Sequence, residues 1–77
     1  MHAATLSSPR LRRVLAVLAD GRPHTTRDIV RRARVMAVSA CVAELRTHGA
    51  VIDCVKQPAT THPGWVWRYT MTKGPET

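Results

Sequence analysis

The chain has 77 residues, with twelve Lys or Arg against five Asp or Glu, which gives a formal net charge of +7 at pH 7. A chain of this length forms one domain with one small core, so it has little room for a catalytic cleft, and we expect no enzyme activity. The positive charge favours an anionic partner, and ten of the twelve basic residues are arginines, which suit bidentate contacts with phosphate and guanine.

The cysteine content and the longest apolar run both point to an intracellular, non-membrane protein. Two cysteines, Cys41 and Cys54, are too few for a disulfide scaffold, so a reducing cytoplasm is the expected location. The apolar run over residues 14–19 is too short to span a bilayer, and we expect no membrane partner.

The first predicted element is a helix over residues 9–20. Ser8 and Pro9 are typical of a helix start, and apolar residues between 11 and 18 recur at helical spacing. Gly21 suits the positive φ that ends a helix. Residues 1–8 carry little pattern and are predicted to form a flexible N-terminus.

Two short helices follow, separated by a tight turn. Thr25 and Asp28 have the spacing of a capping box, which predicts a second helix over 26–33. The branched threonines before it also allow a few extended residues as a minor strand. The turn at 34–36 contains no glycine, so we expect no positive φ there. A third helix is predicted over 37–48. The expected buried side chains of these helices are Ile29, Val30, Ala33, Val38, Val42 and Leu45, with Cys41 at the flank.

The C-terminal part of the chain predicts two strands that form a hairpin. The first covers residues 50–56, the second covers 65–71 with strict alternation, and the turn-rich loop at 57–64 joins them. We expect residues 72–77 to form a flexible tail, which leaves 9–71 as the folded domain. On the second strand the side chains of Trp67, Tyr69 and Met71 are expected in the core. Trp65 either packs on the first helix or stacks on a base.

The run V-S-A-C-V-A-E-L-R-T-H-G-A-V-I (residues 38–52) resembles the recognition-helix segment of small phage and prophage winged helix-turn-helix proteins. The leading R-L-R-R-V-L-A-V-L and the closing W-V-W-R-Y-T-M also fit that family. The resemblance implies an α+β fold, a winged helix-turn-helix with three helices followed by a two-stranded β-hairpin wing. It also implies a DNA-binding transcriptional regulator of phage or prophage origin in the host cytoplasm or nucleoid, acting as activator, repressor or excisionase-like architectural factor.

The predicted DNA-binding residues are arginines of the second helix and the turn, threonines at the start of that helix, and parts of the third helix and the wing. In a helix-turn-helix, the helix before the recognition helix crosses the phosphate backbone, and a wing lies along the minor groove or its phosphates. The complete set is Thr25, Thr26, Arg27, Arg31, Arg32, Arg34, Met36, Ala37, Ser39, Ala40, Arg46, Lys56, Thr61 and His62.

The third helix departs from the family pattern and keeps a second hypothesis open. Cys41 stands where the family commonly has arginine, and few side chains on this helix are long enough to read base edges. The small apolar face of Met36, Ala37, Ala40 and Ala43 suits close approach of another protein. The alternative is therefore a winged-helix module, for example a phage factor, that binds and modulates a host protein.

The expected partners are double-stranded DNA, a second copy in a homodimer, or a host protein, and no cofactor is expected. RNA binding is compatible with the charge, but the chain offers no clear stacking platform. Cys41, His48, Cys54 and His62 match no zinc-ligand spacing, so we expect no metal site. Paired carboxylates, a glycine-rich phosphate loop and a nucleophile–base pair are also missing from the sequence.

Overall fold

The structure, a computed structural model, describes residues 8–75 and has an α+β fold with three helices and a three-stranded antiparallel sheet. The prediction of an α+β chain with three helices before a hairpin is confirmed. In chain order the elements are α1 (Pro9–Leu18), β1 (His24–Thr25), α2 (Thr26–Ala33), α3 (Val38–Thr47), β2 (Val51–Pro58) and β3 (Trp65–Lys73).

The sheet has the strand order β1-β3-β2, which is one strand more than the predicted two-stranded hairpin. The additional strand, β1, is the minor strand that the sequence allows before α2. The additional strand pairs His24 with Tyr69 and Thr25 with Arg68. A strand of two residues is too short to show an alternating pattern. It forms because the chain between α1 and α2 passes beside β3 and finds backbone partners there.

The β2–β3 hairpin is longer than the sequence predicts. β2 continues to Pro58 and β3 to Lys73, and the loop shrinks to residues 59–64, closed by a hydrogen bond of 2.9 Å from the Ala59 N–H to the Gly64 carbonyl. Residues 1–7 and 76–77, which belong to the two ends predicted to be flexible, lie outside the described residues.

The core lies between the three helices and the base of the hairpin. The helices bury Leu11, Val14, Leu18, Ile29, Ala33, Val38, Cys41, Val42 and Leu45, the link between α2 and α3 adds Val35, and the sheet adds Ile52, Tyr69 and Met71. Cys41, expected at the flank, is fully buried, and loss of hydration raises the pKa of its thiol. Val30 is only partly buried against this cluster.

The start of α2 has the predicted capping box. The Asp28 N–H donates to the Thr25 hydroxyl at 3.1 Å, and the Thr25 N–H donates to the Asp28 carboxylate at 3.2 Å. The second bond is the main reason that the pKa of Asp28 lies below its ordinary value. The box sets the direction in which α2 leaves β1.

The link from α2 to α3 contains the only non-glycine residue with positive φ in the described part of the chain, Arg34 at 55°. Our expectation that this turn has no such residue is wrong. The chain reverses between Ala33 and Val38, and a left-handed residue at the C-cap is the usual way to end a helix sharply. The buried Val35 and a hydrogen bond of 2.7 Å from the Arg13 guanidinium to the Ala33 carbonyl hold the turn.

The other two helices each end shortly before a glycine, as predicted. α1 stops at Leu18, and Gly21 has φ of 73°. Gly49 has φ of 98° just after α3. Within residues 8–75 no helix is long and apolar enough to cross a lipid bilayer.

Candidate nucleic-acid interface

A groove of about 530 Å³ separates the start of α2 from the outer part of the hairpin. One wall contains Thr25, Thr26 and Arg27, and the other contains the hairpin loop at 59–62 and the strand residues 65–68. Two regions more than thirty positions apart in the sequence thus face each other across one concave surface.

A second groove, of about 480 Å³, continues the first towards α3. Its lining combines residues 36–39 at the start of α3 with Cys54 and Tyr69 of the hairpin. Thr26 and Trp67 line both grooves, so the two are adjacent, and we call them together the basic groove. It contains parts of all three regions that the sequence singles out: α2, α3 and the hairpin loop.

Thr25 and Thr26 have different roles in this groove. The Thr25 hydroxyl accepts the capping hydrogen bond, and its own hydrogen remains available to donate to an anionic ligand such as a phosphate. The Thr26 hydroxyl lies beside the Tyr69 phenol. Burial raises the pKa of Tyr69, and the hydrogen bond with Thr26 offsets only part of that rise.

The arginines of α2 project into solvent. Arg27 lines the basic groove, and Arg31 follows one helical turn later on the same side. Both are exposed, and neither has a hydrogen bond or ion pair within residues 8–75. Arg32 lies close enough to Asp28 to lower the pKa of that carboxyl, and Arg34 is exposed at the left-handed C-cap.

Three other arginines bind groups of the protein itself. Arg10 forms a salt bridge of 2.9 Å with Glu44, and Arg13 donates to the Ala33 carbonyl. Arg46, one of the predicted DNA-binding residues, donates to the Ile52 carbonyl at 2.5 Å. It therefore connects the end of α3 to β2, and it does not line the basic groove.

The start of α3 contributes small or flexible side chains. Met36 is 90% exposed, and Ala37 and Ser39 are exposed beside it in the groove lining. Ala40 is exposed on the same helix but is not part of that lining. This end of α3 can approach a ligand closely, although it has few groups for reading base edges.

The hairpin contributes Lys56, Thr61 and His62 to the same side of the molecule. Thr61 and His62 line the basic groove, and the His62 ring nitrogen Nδ1 lies 2.9 Å from the Pro63 carbonyl. The Lys56 ammonium lies 5.1 Å from the centre of the Trp65 ring and 5.9 Å from that of Trp67. These are cation–π distances.

The prediction that Trp67 lies in the core is wrong, because its side chain is 47% exposed. Trp65 is 59% exposed and also lies outside the core. The strands extend beyond the three helices, and the molecule measures 44 × 22 × 21 Å. Side chains near the hairpin loop have no helix above them. Arg68, which no sequence pattern singles out, also lines the groove, because it is the pairing partner of Thr25.

The charged residues that line the basic groove are all positive among the residues described. Its lining includes Arg27 and Arg68, and no Asp or Glu occurs among the described residues that line it. The residues described also contain no group of three or more His, Cys, Asp or Glu arranged for a metal ion. No family model, curated protein or solved structure matches this chain.

Proposed function

We propose that this protein is a DNA-binding transcriptional regulator or architectural factor of phage or prophage origin. In this proposal α2 and α3 are the two helices of a helix-turn-helix, and the β2–β3 hairpin is the wing. The observation that carries the proposal is the basic groove, in which the start of α2, the start of α3 and the hairpin loop meet without an acidic side chain.

The α2 arginines are the proposed phosphate contacts. Arg27 and Arg31 are exposed on one side of the helix and have no partner within residues 8–75. Binding of a phosphate would therefore break no contact within that range. Each phosphate that they neutralise releases a counterion, which makes affinity depend on salt. Arg32 and Arg34 extend the positive surface towards the turn.

The start of α3 is the proposed contact with the major groove. Met36, Ala37 and Ser39 are short or flexible enough for close approach, and they offer apolar contact with thymine methyl groups and one hydroxyl. We therefore expect modest direct readout, with the shape and deformability of the DNA contributing most of the specificity. A homodimer on two half-sites would add to affinity and specificity.

The decisive experiment measures binding of the protein to random and to native genomic duplexes by fluorescence anisotropy over a range of salt concentrations. Steep loss of affinity with salt and preference for particular native fragments would support a sequence-reading regulator. A steep loss without preference would support an architectural factor. Absence of binding at low salt would refute the DNA proposal.

A pair of matched variants tests the location of the interface. The double variant Arg27→Ala/Arg31→Ala should make the log–log salt slope shallower by about 1.8, because each lost phosphate contact removes about 0.9. The control Arg22→Ala/Lys73→Ala removes the same charge near the base of the hairpin. It should leave the slope almost unchanged. Equal effects of both variants would contradict the assigned surface.

A second candidate function, binding of a host protein, is favoured by one observation. Met36 is 90% exposed next to the exposed small residues Ala37, Ala40 and Ala43, and an exposed apolar patch is typical of protein interfaces. Under this alternative, Met36→Ser abolishes capture of the partner protein, and Arg27→Ala/Arg31→Ala affects it less. The DNA proposal predicts the opposite ranking for duplex binding.

A further inference from the structure

The outer hairpin presents two tryptophans to solvent on one face. Trp65 is 59% exposed and Trp67 is 47% exposed. They are separated by one residue on β3, so their side chains leave the same face of the strand, about 6.7 Å apart along it. Two large aromatic side chains next to each other in solvent form an exposed apolar patch, and such patches often mark interaction sites.

Both rings border the same space. The Lys56 ammonium lies within cation–π distance of the two ring centres, at 5.1 and 5.9 Å, which requires that both rings be reachable from one point. Lys56 is the pairing partner of Trp67 on β2, so it comes from the same face of the hairpin. A flat ligand with an attached negative charge would find ring faces and a cation together.

The surroundings of the two rings indicate which ligand this is. Trp65 and Trp67 line the basic groove opposite Arg27, and no acidic side chain is described in that lining. A nucleotide has the flat apolar ring and the phosphate that this arrangement complements. In a continuous duplex, however, each base face is covered by its neighbours. Apart from the terminal base pair at a duplex end, only an unpaired base offers a free face.

We propose that Trp65 and Trp67 form a stacking platform for unpaired DNA bases, so that the protein prefers duplex DNA adjoining a single-stranded segment. This inference rests on the proposed DNA-binding function and names the class of DNA that the groove accepts. Arg27 and Lys56 hold the phosphates of the strand, and the rings hold the bases. Stacking is tolerant of sequence, because every base has a π face.

The test compares two duplexes with the same number of phosphates. One carries a short oligo-dA tail, and the other carries a tail of equal length made of abasic sugars. Anisotropy should show tighter binding of the dA tail by roughly 5- to 150-fold, the range expected for stacking of one base. Trp65 and Trp67 are the only tryptophans in the chain, so intrinsic fluorescence should change with the dA tail and much less with the abasic tail.

Variants separate the platform from the rest of the interface. Trp65→Ala and Trp67→Ala should each reduce the preference for the dA tail over the abasic tail, and neither should change the salt slope of abasic-tail binding, because no charge is removed. The conservative Trp65→Phe and Trp67→Phe should retain part of the preference. Both positions are half exposed, and a thermal unfolding curve for each variant verifies that it remains folded.

The outcomes distinguish this inference from the proposed function. Equal affinity of the wild-type protein for the two tails would overturn the platform while leaving DNA binding intact. A preference that survives both alanine substitutions would overturn the assignment to these residues. Failure to bind either duplex at low salt would overturn the proposed function and the platform with it.

Discussion

One face of the β2–β3 hairpin passes from the protein core into solvent. On β3 the side chains of Met71 and Tyr69 are 9% and 8% exposed, whereas Trp67 and Trp65, which continue the same alternation, are 47% and 59% exposed. On β2 the same change occurs between the buried Ile52 and the exposed Cys54. The alternation of apolar side chains continues along the hairpin, but the three helices cover only the end near its base.

This difference separates residues that hold the fold together from residues that are available to a ligand. At the base of the hairpin, apolar side chains contact α1, α2 and α3 and add to the core. Beyond Cys54, side chains of similar or greater apolar area border the basic groove. A substitution near the base should change the free energy of unfolding, and one near the loop should change binding.

The largest effect is expected from a matched pair on β3. Met71→Ala removes a buried side chain and should lower the free energy of unfolding by about 2–5 kcal/mol. Trp67→Ala removes a larger but half-exposed side chain and leaves no enclosed cavity, so it should cost less than Met71→Ala. Urea denaturation measures both. Equal losses would show that the outer hairpin belongs to the core.

A smaller effect is expected at the start of α2, from which the basic groove is built. Thr25→Ala removes the acceptor of the capping hydrogen bond and should cost about 0.5–2 kcal/mol of unfolding free energy. Ser8→Ala is the control, because the Ser8 side chain makes no capping hydrogen bond to α1. We expect a change of at most a few tenths of a kcal/mol there. A control loss as large as that of Thr25→Ala would contradict the capping argument.

The arginines, like the hairpin residues, divide into those that hold the fold together and those that are available to a ligand. Arg46→Met breaks the hydrogen bond to the Ile52 carbonyl and should lower the unfolding free energy by about 0.5–1.5 kcal/mol, with little effect on the salt slope. Arg31→Met should do the reverse, with a stability change within about 0.5 kcal/mol. Denaturation and salt titration of the two variants test the division. A shallower salt slope for the folded Arg46→Met variant would contradict the division.

The smallest effect concerns pH. The pKa of Asp28 is held below its ordinary value of 3.8 mainly by the Thr25 N–H, so folding favours the ionised carboxyl. Its contribution to stability is fully present above pH 3.8 and disappears as the pH falls through the lower pKa of the folded state. Asp28→Asn should therefore lose less unfolding free energy than wild type between pH 6 and pH 2.5. Because the pKa of Asp20 is also lowered, the stability of the variant should still depend on pH to some extent.

Much of the local structure was predictable because it depends on neighbours in the sequence. Helical spacing identified α1, the capping box identified the start of α2, and Gly21 and Gly49 identified two helix ends. Arg34 was the exception. Its left-handed conformation follows from the packing of α2 against α3 and not from a preference of arginine.

The candidate site was predictable only in part, for a similar reason. Thr25 and Thr26 are predicted from their place at a helix start and Arg27 from its place among the arginines of α2, and all three line the groove. Arg46 was included because it is basic, although its neighbour in space is the Ile52 carbonyl. Alternation predicts that Trp67 shares a face of β3 with Tyr69 and Met71, and hence that it lies in the core. The pattern does not show whether another element covers that face.

The α+β class of the fold, the order of the main helices and strands, the positive charge and the start of the basic helix α2 all follow from the amino-acid sequence alone. These properties depend on composition and on residues a few positions apart. The tertiary structure decided that β1 pairs with β3, which arginines are already bound within the protein, and that two tryptophans face α2 across a groove. Those outcomes depend on the length of the hairpin relative to the helices, because long-range contacts determine which side chains the core covers.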